Sequence, residues 1–192
     1  MDRNLELQLV DRLRDRDADA FDAVHNAFHA RLFNFLARLA NSRDIAEDLL
    51  EETWLRLVVH APKLRPDTRL APWLFTVARN LYVSYCRSRL IEDASSADAA
   101  GLWSTGSPSP FELAEAGETE RRVASALAAL PPAYREALLL VAYEGLRPSE
   151  AAAICGISPE AMRQRLSRAR GMLTQRLNGD VAALRSLKEA TT

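Results

Sequence analysis

The chain has 192 residues, of which 48% are hydrophobic and 27% charged, with a formal net charge of −1; that is room for one ordinary domain or two small helical ones. No apolar run reaches the roughly 18 to 20 residues of a membrane span, and the charged opening MDRNLELQLVDRLRDRD lacks a signal-peptide segment, so a cytoplasmic protein without membrane insertion is expected. The net charge conceals a partition: residues 1–92 carry 14 basic and 14 acidic groups, 93–118 none and 5, and 119–192 carry 11 and 7.

In chain order, apolar residues recur at helical spacing: Leu5, Leu9 and Leu13; Phe21, Val24, Phe28, Leu32 and Phe35; Ile45 to Val59; and Trp73 to Tyr85. The segment from Glu92 to Glu118 is rich in Ser, Ala, Gly, Pro and acid, and reads as a flexible linker. Beyond it come Val123, Leu127 and Leu130, a Pro131-Pro132 break, then Tyr134, Leu138 and Val141, and two further helices. Strand alternation and hairpin turn signals are missing. The expected fold is all-α, with two small helical domains over 1–91 and 119–178, the linker over 92–118, and a tail over 179–192 in which Val181, Leu184 and Leu187 suggest a short extra helix.

In the second pattern His25 and His29 stand at i, i+4, a spacing able to hold a metal, but no third ligand lies nearby in sequence, so two partly exposed side chains are expected and no metal. Cys86 and Cys155 fall far apart in helical patterns, as reduced core thiols do. Serine-nucleophile motifs, Gly-rich phosphate loops and Cys/His clusters are missing, so neither a catalytic centre nor a cofactor is expected.

The third pattern opens with Asp44-x-x-Glu47, the spacing of a capping box with Asp44 as N-cap. A helical wheel places Ile45, Ala46, Leu49, Leu50, Thr53, Trp54 and Leu57 on one arc, and Asp44, Glu47, Asp48, Glu51 and Glu52 on the other, with Leu55 among the acids. Such a ridge suits docking onto a basic helical surface, or is an ordinary solvated face. The fourth helix is expected to start at Pro72. It mixes Trp73, Phe75, Tyr82 and Tyr85 with Arg79, Asn80, Arg87 and Arg89, and the loop before it carries Lys63, Arg65 and Arg69. Rings offer stacking faces and arginines neutralise phosphate, which suits a single nucleic-acid strand. Trp73 and Tyr82 are expected to be buried.

Near the carboxy terminus, Pro148 suits a first helical position, Gly156 a left-handed turn, Ser158 an N-cap and Pro159 a restart, which is the grammar of a helix-turn-helix. On the second helix Met162, Leu166, Ala169, Leu173 and Leu177 form the inward stripe. Opposite lie Gln164, Ser167 and Arg168, with Glu160 toward the helix start, Arg163 and Arg170 on one shoulder, and Arg165 and Arg176 on the other, near the core edge. Guanidinium and amide groups so placed suit bases and phosphates of a DNA major groove.

The run from Leu130 to Arg170, with LPPAYREALLL, EGL and RLSRAR, resembles region four of bacterial extracytoplasmic-function sigma factors, and RDIAEDLLEETWLRLV and APWLFTVARNLYVSYCRSR resemble region two. The resemblance covers most of the chain and implies a sigma factor, with regions two and four only, that binds core RNA polymerase and directs promoter-specific initiation. It implies that Asp44, Glu47, Asp48, Glu51, Glu52 and Leu55 dock on the β′ clamp helices and that region four meets the β flap. It also implies that Lys63, Arg65, Arg79 and Asn80 engage the melted −10 element, that Arg163, Gln164, Ser167, Arg168 and Arg170 read the −35 element, and that an anti-sigma factor restrains the protein. Where the family pattern has a Ser or Thr N-cap this chain has Arg147, which predicts either a looser helix start or an arginine that reaches a phosphate. Two rival readings are a sigma mimic that titrates an anti-sigma factor, and a stand-alone repressor.

Overall fold

The computed structural model describes residues 2–93 and 117–189, and the side chains of residues 2–91 and 117–178. Residues 94–116, most of the segment read as a linker, lie outside the described residues. Among the described residues all regular structure is helical, and the chain divides into two compact units.

The first unit is built on α1 (Arg3–Arg14), α2 (Ala18–Ala40), α3 (Arg43–His60), a 3-10 turn (Ala61–Lys63) and α4 (Leu70–Asp93). Helix α2 is its centre because Val24, Phe28, Leu32, Phe35, Leu36 and Leu39 return every three or four residues to one face, and all are buried. Phe35 meets Phe75 of α4 edge to face at 5.2 Å, and each such side chain removed from water stabilises the unit by roughly 1.5–3 kcal/mol. The one buried hydroxyl of α3, on Thr53, donates to the Leu49 carbonyl at 2.7 Å and so adds no unpaired polar group.

The start of α3 differs from the sequence expectation. Asn41 closes α2 in the left-handed conformation (φ 53°), which leaves Ser42 extended, and the Ser42 hydroxyl accepts from the Ile45 amide at 3.5 Å. Ser42 is therefore the N-cap and Asp44 sits inside the first turn, where its charge still favours the helix dipole.

The second unit is built mainly on α5 (Glu118–Ala128), α6 (Pro132–Leu138) continued by a π turn (Leu139–Tyr143), and α8 (Pro159–Glu189), with α7 (Pro148–Cys155) leading into α8. Leu127, Leu130, Ala137, Leu138, Leu140, Met162, Leu166 and Ala169 are buried. Pro131 and Pro132 end α5 and supply no amide donors, so its last carbonyls need other partners. The Leu130 amide serves Leu127, and Arg135, only 2% exposed, serves Ala128: its Nη2 donates to that carbonyl and to the Leu130 carbonyl just beyond the helix. The tail in which a short extra helix was suggested is helical as a continuation of α8, which runs unbroken through Glu189.

Candidate nucleic-acid and polymerase interfaces

The helix-turn-helix is assembled from local caps. Gly156 takes φ 67° at the turn, Ser158 accepts from the Ala161 amide at 3.1 Å, and Pro159 is the first residue of α8. The start of α7 is closed in part by a carboxylate. Glu150, three residues on, accepts from the Arg147 amide at 2.9 Å and from its guanidinium at 3.1 Å, the half of a capping box that serves the N-cap amide, while the Glu150 amide bonds the Arg147 carbonyl at 2.9 Å. The guanidinium bond, and the charge of Glu150 with it, raise the Arg147 pKa.

On α8, Met162, Leu166 and Ala169 face inward and are buried, while Leu173 and Leu177 are half-buried. Arg163, Gln164, Ser167, Arg168 and Arg170 are all exposed, as expected for one outward face. From Arg163 to Arg170 that face spans ~10 Å along the axis, about three base-pair steps. Arg165 is half-buried at the core edge, whereas Arg176 is exposed. Arg163 pairs with Glu160 across one turn, a screened contact that a phosphate or base can displace.

On α3, Asp44, Glu47, Asp48 and Glu51 are exposed and Glu52 is half-buried. Two of these acids are held by i, i+4 pairs, Arg43 with Glu47 and Arg56 with Glu52, each at 2.7 Å; Asp44, Asp48 and Glu51 make no ion pair among the described residues. Leu55 stands 60% exposed beside them. The structure adds two residues that sequence reasoning passed over: Val58 and Val59, also exposed, continue the apolar strip from Leu55 at i, i+3, i+4. A run of three apolar residues from Leu57 was the available signal. Next to that strip, Leu13, Phe21, Val58, Val59 and Ala61 line a groove of about 490 Å³.

The third group divides in two. Lys63 and Arg65 project from the turn and loop before α4, with Arg65 bonded to Asp67 at 3.1 Å. Arg79 is half-buried and Asn80 exposed, about 14 Å along α4 from its start. Helix α4 begins at Leu70 rather than at Pro72, which occupies the third position, where an amide would lack an intrahelical partner anyway. Phe75 and Tyr82 are buried in the core, while Trp73, expected to be buried, is half-buried, as is Tyr85. Only the last two rings can offer faces to a base.

Of the histidine pair, His25 is half-buried and His29 exposed, and both rings stand against Trp54. His25 Nε2 and His29 Nδ1 lie 3.0 Å apart, and their rings stand 4.7 and 6.3 Å from the Trp54 ring. Burial lowers the His29 pKa, and His25 lowers it further. No group of three metal-ligating side chains occurs among the described residues, and no described helix is long and apolar enough to cross a membrane.

A family model for sigma-70 region 2 matches residues 24–90, and one for sigma-70 region 4 matches residues 120–173. The chain is 37% identical over 178 residues to the ECF RNA polymerase sigma factor EcfG of Rhodopseudomonas palustris (strain TIE-1), covering 92% of this chain and 91% of the relative. It is 32% identical over 161 residues to the ECF RNA polymerase sigma factor SigM of Bacillus subtilis (strain 168), covering 83% and 96%. Among solved structures it resembles the sigma factor RpoE of Bartonella quintana, in complex with the anti-sigma factor NepR, with a TM-score of 0.70 and 28% identity over 82% of this chain and 96% of the other. The fold also matches CnrH in complex with the cytosolic domain of CnrY, with a TM-score of 0.68 and 22% identity over 92% and 99%.

Proposed function

The chain belongs to the extracytoplasmic-function family of RNA polymerase sigma factors, and from that premise we propose how its residues divide the work of promoter-specific initiation. The family performs no reaction of its own; polymerase supplies the chemistry. Residues 1–91 form the domain that docks on the β′ clamp helices through Asp44, Glu47, Asp48, Glu51, Glu52 and Leu55, and engages the opened −10 element through Lys63, Arg65, Arg79 and Asn80. Residues 119–178 form the domain that reads the −35 element. Gln164 and Arg163 face base edges, while Ser167, Arg168 and Arg170 hold the backbone or neighbouring bases.

The observation that carries this reading is the continuous exposed face of Arg163, Gln164, Ser167, Arg168 and Arg170, set opposite the buried Met162, Leu166 and Ala169. Each domain alone binds its element modestly, and polymerase raises the effective concentration of one for the other. The protein acts in the cytoplasm. A relative of known structure is bound to an anti-sigma factor, which supports a restraining partner of that kind here.

In vitro transcription with purified core polymerase tests the reading. Adding this chain yields transcripts from cognate promoters only, and these are lost when Gln164 and Arg168 are both replaced by Ala. A sigma mimic gives no transcripts, and a repressor binds its operator tightly without polymerase; either result overturns the assignment.

A further inference from the structure

Resting on the reading that the loop before α4 engages the −10 element, we propose that Arg3 and Glu6 are positioning residues for that loop. Both precede the segment that the region 2 model matches, residues 24–90. Glu6 is only 6% exposed, and a carboxylate at that depth is costly unless its oxygens are paired. Both are paired. Oε1 accepts from the Leu70 amide, the first of α4, at 2.8 Å, and Oε2 accepts from Arg3 Nη1 at 2.6 Å. Arg3 reaches on to the loop itself, donating through Nη2 to the Asp67 carbonyl at 2.9 Å and through Nη1 to the Thr68 carbonyl at 3.4 Å.

Glu6 thus caps a helix that starts 64 residues later in the chain. The N-terminal end of α4 favours a negative group, which ordinarily comes from the residue just before the helix. Here α1 supplies it, and α1 is itself fixed to the unit through buried Leu9, Val10 and Leu13. The loop is short and closed: the Thr68 amide donates to the Arg65 carbonyl at 2.9 Å across a turn containing Pro66, and the Arg65 guanidinium bonds Asp67 at 3.1 Å. Because Asp67, Thr68 and Leu70 are held by α1, the turn that presents Arg65 has one side anchored. Hydrogen bonds are directional, so this anchoring specifies an orientation that apolar packing alone does not. Capture of an unstacked base depends on such placement.

The test uses the full chain with core polymerase and promoters carrying each base at the −10 and −35 positions. Glu6→Ala lowers discrimination among −10 bases about tenfold, the scale of a lost cap, with core affinity and −35 discrimination unchanged. Glu6→Gln keeps an acceptor for the Leu70 amide and restores most of it. Arg3→Met, which strands Glu6 Oε2 and so also lowers the melting temperature, loses part of the −10 discrimination while −35 discrimination is unchanged. Unchanged −10 discrimination in Arg3→Met and Glu6→Ala overturns the inference, as does an equal loss at −35; if Glu6→Ala fails to fold, Arg3→Met decides alone. Arg65→Ala separates the two levels. If it leaves −10 discrimination intact, the loop reading falls and this inference with it; if it abolishes discrimination while Arg3→Met and Glu6→Ala leave it at the wild-type level, only the positioning role falls.

Discussion

Replacing Arg135 by Met tests how the second unit is held together. Met keeps much of the apolar stem but removes the donors that satisfy the carbonyls of Ala128 and Leu130 at the end of α5. Hydrogen bonds from a charged donor contribute about 1.5–3 kcal/mol each, and stranding a buried carbonyl costs about 1–3 kcal/mol. Relief of the guanidinium's desolvation offsets part of this, since the side chain is almost fully buried. The net expectation is a loss of about 2–4 kcal/mol, confined to the second unit. Because the two units need not unfold together, the assay is amide exchange across a urea series, read on peptides from α5 and α6 and on peptides from α2 as the internal reference. The α5 and α6 midpoints fall while α2 is unchanged. A shift below about 0.5 kcal/mol, the scale of an ordinary surface substitution, refutes the capping role assigned to Arg135.

Gln164→Ala costs about 1–3 kcal/mol at particular −35 positions, whereas Arg170→Ala weakens binding at every sequence and flattens its salt dependence; equal losses on matched and mismatched sites for Gln164→Ala remove its reading role. Reversing Asp48 and Glu51 to Lys lowers affinity for core polymerase, most strongly at low salt, and a pull-down indifferent to the reversal refutes the acidic ridge as the docking face. Burial depresses the His29 pKa below its ordinary value of 6.5. The folded protein therefore binds fewer protons than the unfolded chain between the two values, so the contribution to stability is complete above about pH 6.5 and is lost as pH falls through the folded value. Melting temperatures from pH 7.5 down to 5 decline more steeply for the wild type than for His29→Gln; parallel curves contradict the assignment.

The features legible in the chain were those whose cause is local. The stripe Met162, Leu166 and Ala169, the turn glycine Gly156 and the cap Ser158 depend on neighbours within one or two turns, and all stand where the spacing places them. The Glu150 cap was within reach for the same reason, being three residues from Arg147. Asp44 was misplaced by two residues because the left-handed Asn41 sets where the extended cap residue falls, and Ser42 comes first. Trp73 was misjudged because helical periodicity gives a direction but not the depth of the neighbours on that side.

The amino-acid order by itself determined helix, turn and charged face, since propensity, capping and periodicity act over a few residues. Only the tertiary structure decided that Glu6 caps α4, that Arg135 is buried beneath two carbonyls, and that the histidine pair rests on Trp54. Those partners are brought together by the packing of helices rather than by sequence spacing, and a hydrogen bond forms only where that packing carries donor and acceptor to within about 3 Å of each other.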